Sequence, residues 1–549
     1  MTISGSFSVF NKKRGISMSE KRETWSSRGT FIMAAIGSAV GLGNAWRFPG
    51  LAAKYGGGAF LLVYVLAMLI LGVPLLMMEI ALGRRTKLGA PGAMRAVNKK
   101  AEFVGWAGTT NAFVITTYYA VVFAWVIMMA IFSFKFAGIT AMGAEKASEA
   151  AQGVFGNLIG NPELGWNNGS LAPAWIVIAC LALGWVLIYL CIRRGTVSAG
   201  KVVKYTGLLL PLIFLGILAI KGITMPGSGE GLKKLFTPDF NSVINAAGEG
   251  GKTVNMLPNL IVDAMGQVFY SLSIMMAIMF AYGSYVKDDA NIAADALIIA
   301  FSDLFVSVLS GIVMFTTMYG VGMTVSNMSA SGIATAFIIY PTAIIKLTSV
   351  GWINAIFGAI FYLCLCSLAI DSAFSIAEGV STAVSDKFKI NPHKTTLGVC
   401  IVAGVISILY ATKSGLAWLD TVDNWTNQYN MILVGALECF FVGWFFKPAI
   451  VLKEVNKNTK KFKMPLWWFE LSVKFIAPIV LLGFCCWNIY NNHIASGTGV
   501  YGGYPLWSNI VAGWGITVLT FISGPIIQAI YKKYKKGGEE QEFDWNAQQ

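Results

Sequence analysis

Twelve apolar runs along the chain are each long enough to cross a bilayer, which takes about 20 predominantly apolar residues of helix. They cover residues 28–52, 58–84, 102–134, 173–193, 201–221, 259–285, 291–321, 352–386, 395–412, 417–447, 467–490 and 506–532. We call them spans one to twelve. The connections after spans two, four, eight and ten carry most of the basic residues. These include Arg84, Arg85, Lys87, Arg95, Lys99 and Lys100, then Arg193, Arg194 and Lys201, then Lys387, Lys389 and Lys394, and finally Lys453, Lys457, Lys460, Lys461 and Lys463. The positive-inside rule makes those loops cytoplasmic, together with both termini. Loops 136–172, 222–258 and 322–351 are then external. Within the last, Ser329–Leu347 has a helical pattern broken by Pro341, which predicts a re-entrant or capping hairpin. The pattern as a whole predicts an all-α polytopic membrane protein.

Two spans break their own pattern. In span one, Gly37–Gly50 reads GSAVGLGNAWRFPG, so Gly37, Gly41 and Gly43 are followed at once by Asn44, Arg47 and Pro49. Each glycine costs about 1 kcal/mol relative to alanine in a helix interior, and an arginine within a span about 2.5–3.5 kcal/mol on insertion scales. A glycine-rich packing face would explain the glycines, but not Asn44 and Arg47 beside them. Backbone freed from helical bonding cannot face lipid; it must be buried in protein or line a cavity. Residues 39–44 are therefore predicted to be a break that turns amides and carbonyls toward something small and polar. Span six repeats the anomaly: Gly266-Gln267-Val268-Phe269-Tyr270-Ser271-Leu272-Ser273 places Gln, Tyr and two Ser mid-span, before the methionine-rich run 274–279. Interrupted helices in corresponding positions of two halves point to a transport site at the bilayer midplane, where half-helix amino ends attract an anionic group and loose carbonyls coordinate a cation. Spans one and six lie five apart, as two inverted repeats of five spans would place them, although no residue-level repeat is detectable.

Composition narrows the class. Of 549 residues 56% are hydrophobic and 12% charged, with a mean hydropathy of +0.64, outside the range of soluble domains. The net charge of +14 sits in short loops as an orientation signal, so no nucleic-acid partner is implied. All eight cysteines fall in spans and none in loop 136–172, so no external disulfide framework is predicted. The two histidines, His393 and His493, lie away from the breaks, which argues against zinc or haem. No short apolar leader with a cleavage site precedes span one; residues 1–17 read as disordered, with Met18 as a second start. The stretch GTVSAGK at Gly195–Lys201 imitates a phosphate loop, but Val202 follows it and no strand precedes it, so it is a turn.

Two carboxylates inside spans stand out, Asp303 and Asp371, with hydroxyls close by at Ser302, Ser307 and Ser372. An ionisable group within a span is a functional candidate by default. Hydroxyls, carbonyls and a carboxylate form a hard-oxygen shell, and one acid per shell favours a monovalent ion such as sodium over calcium. Tyr118-Tyr119 in span three has two readings, a phenol reaching a substrate carboxylate or simple packing. Arg47 and Asp423 both lie just external to the breaks, where a water-bridged pair would form a gate.

The assembled motifs resemble those of the neurotransmitter:sodium symporter family, with its leucine-transporter-like fold of 5+5 inverted repeats and broken helices one and six. The matching residues run from 20 to 450. They include Arg22-Glu23-Thr24-Trp25, GSAVGLGN at 37–44 with WRFP at 46–49, GGGAF at 56–60 and PLLMME at 74–79. They continue through Tyr118-Tyr119 with Trp125, GQVFYSLS at 266–273, IDSAF at 370–374 and LDTVDNW at 419–425. The resemblance implies a first sodium site from the Ala39 carbonyl, Asn44, Ser271, Asp303 and the substrate carboxylate. It implies a second from the Gly37, Val40 and Leu368 carbonyls with Asp371 and Ser372. The substrate carboxylate would meet the Leu42 and Gly43 amides and the Tyr119 hydroxyl; Ile115, Tyr270, Ser273, Met275, Met276 and Ile376 would surround the side chain, with Tyr270 as lid. Arg47 with Asp423 would be the outer gate, Arg22 with Asp386 the inner one, and Glu79 would brace the broken first helix.

The same resemblance divides the chain into a disordered N-terminus (1–20), a first repeat (21–221), an extracellular loop (222–258), a second repeat (259–447), spans eleven and twelve (448–532) and a cytoplasmic tail (533–549). Spans eleven and twelve would serve packing or a homodimer contact. Three departures shape the expected function. Asp303 stands where Asn is usual and supplies a charge that chloride supplies in some relatives, so chloride independence is expected. Met275-Met276 replaces a small-then-aromatic pair, which predicts a smaller cavity. Gly41 stands where amine-transporting members carry Asp, which favours a neutral amino acid, small or medium and aliphatic, such as alanine. The expected function is therefore sodium-coupled import of neutral amino acids by alternating access across the cell membrane, with no enzymatic activity. The competing reading is a sensor or channel on the same scaffold without stoichiometric coupling.

Overall fold

A computed structural model of the chain describes residues 22–142, 144–247, 253–328, 331–459, 462–495, 500–534 and 543–545. The predicted leader 1–20 and part of the capping segment, Ser329 and Ala330, lie outside the described residues.

Among the described residues ten helices are long and apolar enough to span a membrane: Gly58–Thr86, Lys99–Thr140, Trp175–Ile192, Thr196–Ile223, Ile292–Gly320, Gly351–Phe388, Pro392–Tyr410, Gly415–Phe445, Leu466–Ile494 and Leu506–Lys533. The two predicted spans missing from that set are the broken ones. Span one consists of Arg28–Ala39 and, after a break at Val40 and Gly41 that is narrower than the 39–44 expected, a second half that runs as a wide π-helical turn over Gly43–Arg47 straight into Phe48–Lys54; span six consists of Leu257–Ser271 and Ile278–Ser284. Neither half alone is long enough to span a bilayer. Ser27 caps the first half-helix by accepting the Thr30 amide at 3.1 Å, a cap worth about 1 kcal/mol.

Three regions read as loops carry structure of their own. Loop 136–172 holds the helix Ala144–Ile159, whose buried Ala147, Ala151, Val154, Phe155 and Leu158 repeat at helical spacing and seat it on the protein. Loop 222–258 holds Ser228–Phe236, Phe240–Ile244 and a two-residue hairpin pairing Ala246–Ala247 with Thr253–Val254. The predicted hairpin around Pro341 is instead a single short helical stretch, Gly332–Ile344. It packs over the second half of span one through Phe337, whose ring lies 6.0 Å from Trp46, 6.1 Å from Trp125 and 4.5 Å from Phe155.

At the basic end, two buried charged side chains each have several partners. Arg84 donates to the Glu454 carboxylate (2.7 Å), the Ala290 carbonyl (2.7 Å) and the Glu454 carbonyl (2.6 Å). Glu102 receives Arg95 (2.8 Å), Lys387 (2.6 Å) and the Trp106 indole (3.2 Å). Such bonds tie spans two, three and eight to their connecting loops, because a buried charge without partners would cost several kcal/mol. The C-terminal tail docks in part at this end. The Trp545 indole donates to the Ala96 carbonyl (2.9 Å), its own carbonyl accepts from Arg85 (2.7 Å), and its ring lies 4.7 Å from Phe446. An aromatic side chain with one polar handle can offset chain entropy that the flanking Lys, Gly and Glu residues cannot.

Candidate functional site

The break in span one begins at Val40, whose ψ of 92° leaves the helix. Gly41 then donates its amide to the Asn44 side-chain oxygen at 2.9 Å. Small residues are required there by close approach. A Cβ at Gly41 would lie 2.7 Å from the Ser372 hydroxyl, and one at Gly43 would lie 2.6 Å from the Tyr270 ring. The break in span six is more strained: Ser273, Met275 and Ala277 have φ of 53°, 64° and 62°, left-handed values that cost a non-glycine residue roughly 1–2 kcal/mol each. Strain concentrated in one short segment marks a functional constraint. The two breaks face each other, since the Ser273 and Ser372 hydroxyls both donate to the Ser38 carbonyl, at 2.8 and 3.2 Å. Gln267 donates to the Gly43 carbonyl at 3.2 Å.

Between them lies a cavity lined by Ser38, Ala39, Gly41, Leu42, Gly43, Asn44, Ile115, Tyr119, Tyr270, Ser271, Ser273, Met276, Ser372 and Ile376. Every residue expected around a substrate is in that lining except Met275. The correction has a plain cause. The Met275 amide donates to Glu79 at 2.6 Å, and its side chain packs against Gly435 of span ten, on the side away from the cavity. Of the two methionines expected to narrow the cavity, Met276 alone is in its lining. Glu79 braces the broken sixth span through this bond, not the first span as expected.

Residues expected at a first ion site form one buried polar cluster. Asn44 donates to the Asp303 carboxylate (2.7 Å), Ser271 (3.0 Å) and Ser307 (2.8 Å). Ser271 donates to both Asp303 oxygens at 2.8 and 2.9 Å. Tyr64 of span two also donates to Asp303, at 3.1 Å. Sequence reading missed Tyr64, which is one aromatic in an apolar run and carries no local signal. A cation entering among these oxygens would displace the Asn44 NH2 group, and the turned amide would then offer its oxygen.

Residues expected at a second ion site meet where spans one and eight touch. Gly37 lies directly against the Asp371 carboxylate, with the Gly207 backbone on its other side. One Asp371 oxygen accepts from Thr206 of span five at 2.6 Å, while the other is buried without a partner. An orphaned carboxylate oxygen facing backbone suits a hard cation. Leu368 is buried one turn before Asp371, and Val40 is buried at the break. Thr206 was missed, though the Thr206-Gly207 pair interrupts span five and could have flagged it. Among the described residues no group of three or more His, Cys, Asp or Glu could hold a metal ion.

The two gate pairs differ. Arg22 pairs with Asp386 and donates to Ser284 at 2.6 Å, while Asp386 also accepts the Gly89 amide at 2.7 Å. Arg22 further lies 4.9 Å over the Tyr285 ring. Arg47 and Asp423 make no direct ion pair, and Asp423 accepts from Asn427 at 2.7 Å. The molecule is thus latched at the Arg22 end. Tyr118 and Tyr119 divide their two readings: Tyr119 lines the cavity, and Tyr118 is bonded to Thr426 and Asn427 of span ten at 3.1 and 3.2 Å.

The family model of the sodium:neurotransmitter symporter family matches residues 22–141 and 167–535. The chain belongs to that family. Among sequence relatives of this symporter, an uncharacterized sodium-dependent transporter of Methanocaldococcus jannaschii is 32% identical over 92% of this chain and 98% of its own. The human sodium- and chloride-dependent creatine transporter 1 is 28% identical, covering 92% of this chain and 82% of its own. The human sodium- and chloride-dependent neutral and basic amino acid transporter B(0+) is 26% identical over 94% and 87%. Among solved structures, the crystal structure of MhsT in complex with L-phenylalanine superposes with a TM-score of 0.69 at 26% identity, covering 84% of this chain and 99% of that one. The symporter is therefore an all-α, multi-pass membrane protein of leucine-transporter-like fold, sodium-dependent and not an enzyme.

Proposed function

We propose that the symporter imports neutral amino acids into the cell by alternating access, coupled to sodium and without need of chloride. The observation that carries this is the uncharged lining of the cavity: none of its residues is acidic or basic. An amine lacking a carboxylate would have no counter-ion there. A zwitterion supplies its own, because its carboxylate can take the Leu42 and Gly43 amides at the amino end of a half-helix with the Tyr119 hydroxyl. Sodium at the first site would sit between Asp303, Asn44, Ser271 and the substrate carboxylate. The shared carboxylate makes each ligand bind more tightly in the presence of the other, by the same factor. The second ion would join Gly37 and Val40 of span one to Asp371 and Ser372 of span eight. Chloride independence follows from Asp303, whose carboxylate balances the first ion in place.

On this reading residues 21–221 and 259–447 are two inverted repeats, the Arg22–Asp386 end faces the cytoplasm with both termini, and Tyr270 closes over the bound substrate. Opening that end requires breaking the Arg22 contacts, which the closing of Arg47 toward Asp423 on the other side would offset. Uptake of individual amino acids into proteoliposomes, with sodium replaced by choline, tests the proposal. Accumulation that survives the replacement would overturn it.

A further inference from the structure

Met275 is adjacent to a cavity residue on one side and one residue from Ser273 on the other, yet it contributes nothing to the lining. Its backbone, at φ 64° and held by the 2.6 Å bond to Glu79, aims the side chain out of the cavity toward span ten. What receives it there is the missing side chain of Gly435. A Cβ at that position would overlap the Met275 sulfur and lie 2.5 Å from its Cε and 2.8 Å from its Cγ. Gly108 of span three brings its backbone near the Met275 carbonyl, with Val434 and Glu438 of span ten in contact with the same glycine position. Val434, Glu438 and Met275 are all buried from solvent.

We propose that Gly435, which never touches the cavity, is a specificity-determining position: by housing Met275 it keeps the cavity large enough for a branched aliphatic side chain. Filling the notch drives the Met275 side chain back across the unwound segment, where the space available is the one Met276 already borders. The inference rests on the amino-acid site proposed above and names the residue that sets its size. It also reconciles two adjacent methionines with a usable cavity, since methionine is flexible enough to seat in either direction.

The test is the ratio of KM for leucine to KM for alanine in sodium-driven uptake by proteoliposomes. Gly435→Ala is expected to raise that ratio about tenfold, the size of a one-methylene discrimination in an apolar pocket, with the alanine KM little changed. The double variant Gly435→Ala/Met275→Ala is expected to restore the original ratio, a recovery that general damage to helix packing would not give. Should Gly435→Ala fail to reach the membrane, Met275→Phe overfills the same notch with Gly435 intact and is expected to shift the ratio in the same direction. An unchanged ratio in these single variants, or no recovery in the double variant, overturns the inference. Failure of the underlying site reading would look different: the unsubstituted protein would accumulate neither amino acid.

Discussion

Asp303→Asn separates the carboxylate's charge from its shape. The carboxylate accepts Asn44 at 2.7 Å and Ser271 at 2.8 Å on one oxygen, and Ser271 at 2.9 Å and Tyr64 at 3.1 Å on the other. Substitution replaces one of these oxygens by an NH2 group, so either Asn44 or Tyr64 faces a donor where it had an acceptor. Hydrogen bonds to a charged group contribute roughly 1.5–3 kcal/mol each, and a cation at this site also loses its neutralising partner. A penalty of about 3 kcal/mol corresponds to a loss of roughly a hundredfold in sodium affinity. The assay is the sodium concentration giving half-maximal uptake, measured in chloride and again in gluconate. The unsubstituted protein is expected to give the same value in both. The variant is expected to be shifted about a hundredfold in gluconate and partly restored in chloride, because a diffusible anion can then supply the missing charge. A variant with unshifted sodium dependence in gluconate would refute the charge argument.

Other substitutions probe separate contacts. Gly37→Ala places a methyl group on the Asp371 carboxylate and 3.0 Å from the Gly207 backbone; uptake is expected to fall more than tenfold with unfolding temperature within a few degrees of the parent. Arg22→Ala removes the Asp386 pair and the Ser284 bond, and hydrogen exchange in Arg28–Ala39 should rise about tenfold or more as the latched end opens, since a buried charge pair broken on one side costs roughly 3–5 kcal/mol. Trp545→Ala removes the bond to Ala96 and the ring contact with Phe446; thermal unfolding in detergent should shift down by a few degrees for a loss of about 2 kcal/mol. An unchanged melting temperature would show that the docked tail adds nothing to stability.

What the sequence made legible follows from the membrane as solvent. Apolar runs must be helical because lipid satisfies no backbone group, so the spans could be read directly. Gly41, Asn44 and Arg47 were visible as misfits in the same terms, as were Gln267 and the serines of span six. The helix Ala144–Ile159 could have been read from its apolar spacing but was overlooked beside stronger signals. Other features were not local at all. The direction of Met275 depends on a bond to Glu79 and on an absent side chain at Gly435, which lie 196 and 160 positions away along the chain. Tyr64 and Thr206 meet their carboxylates only because spans two and seven, and five and eight, come together. Trp545 docks on surfaces built from Arg85, Ala96 and Phe446, none of which its own tail foreshadows.

The central claim is that sodium drives accumulation of a neutral amino acid while chloride is dispensable. Uptake of each proteinogenic amino acid into proteoliposomes, with an inward sodium gradient and gluconate in place of chloride, tests it most directly. One or a few neutral amino acids should accumulate above equilibrium, and should cease to do so when choline replaces sodium. Accumulation independent of sodium, or binding with no accumulation of any amino acid, would contradict it.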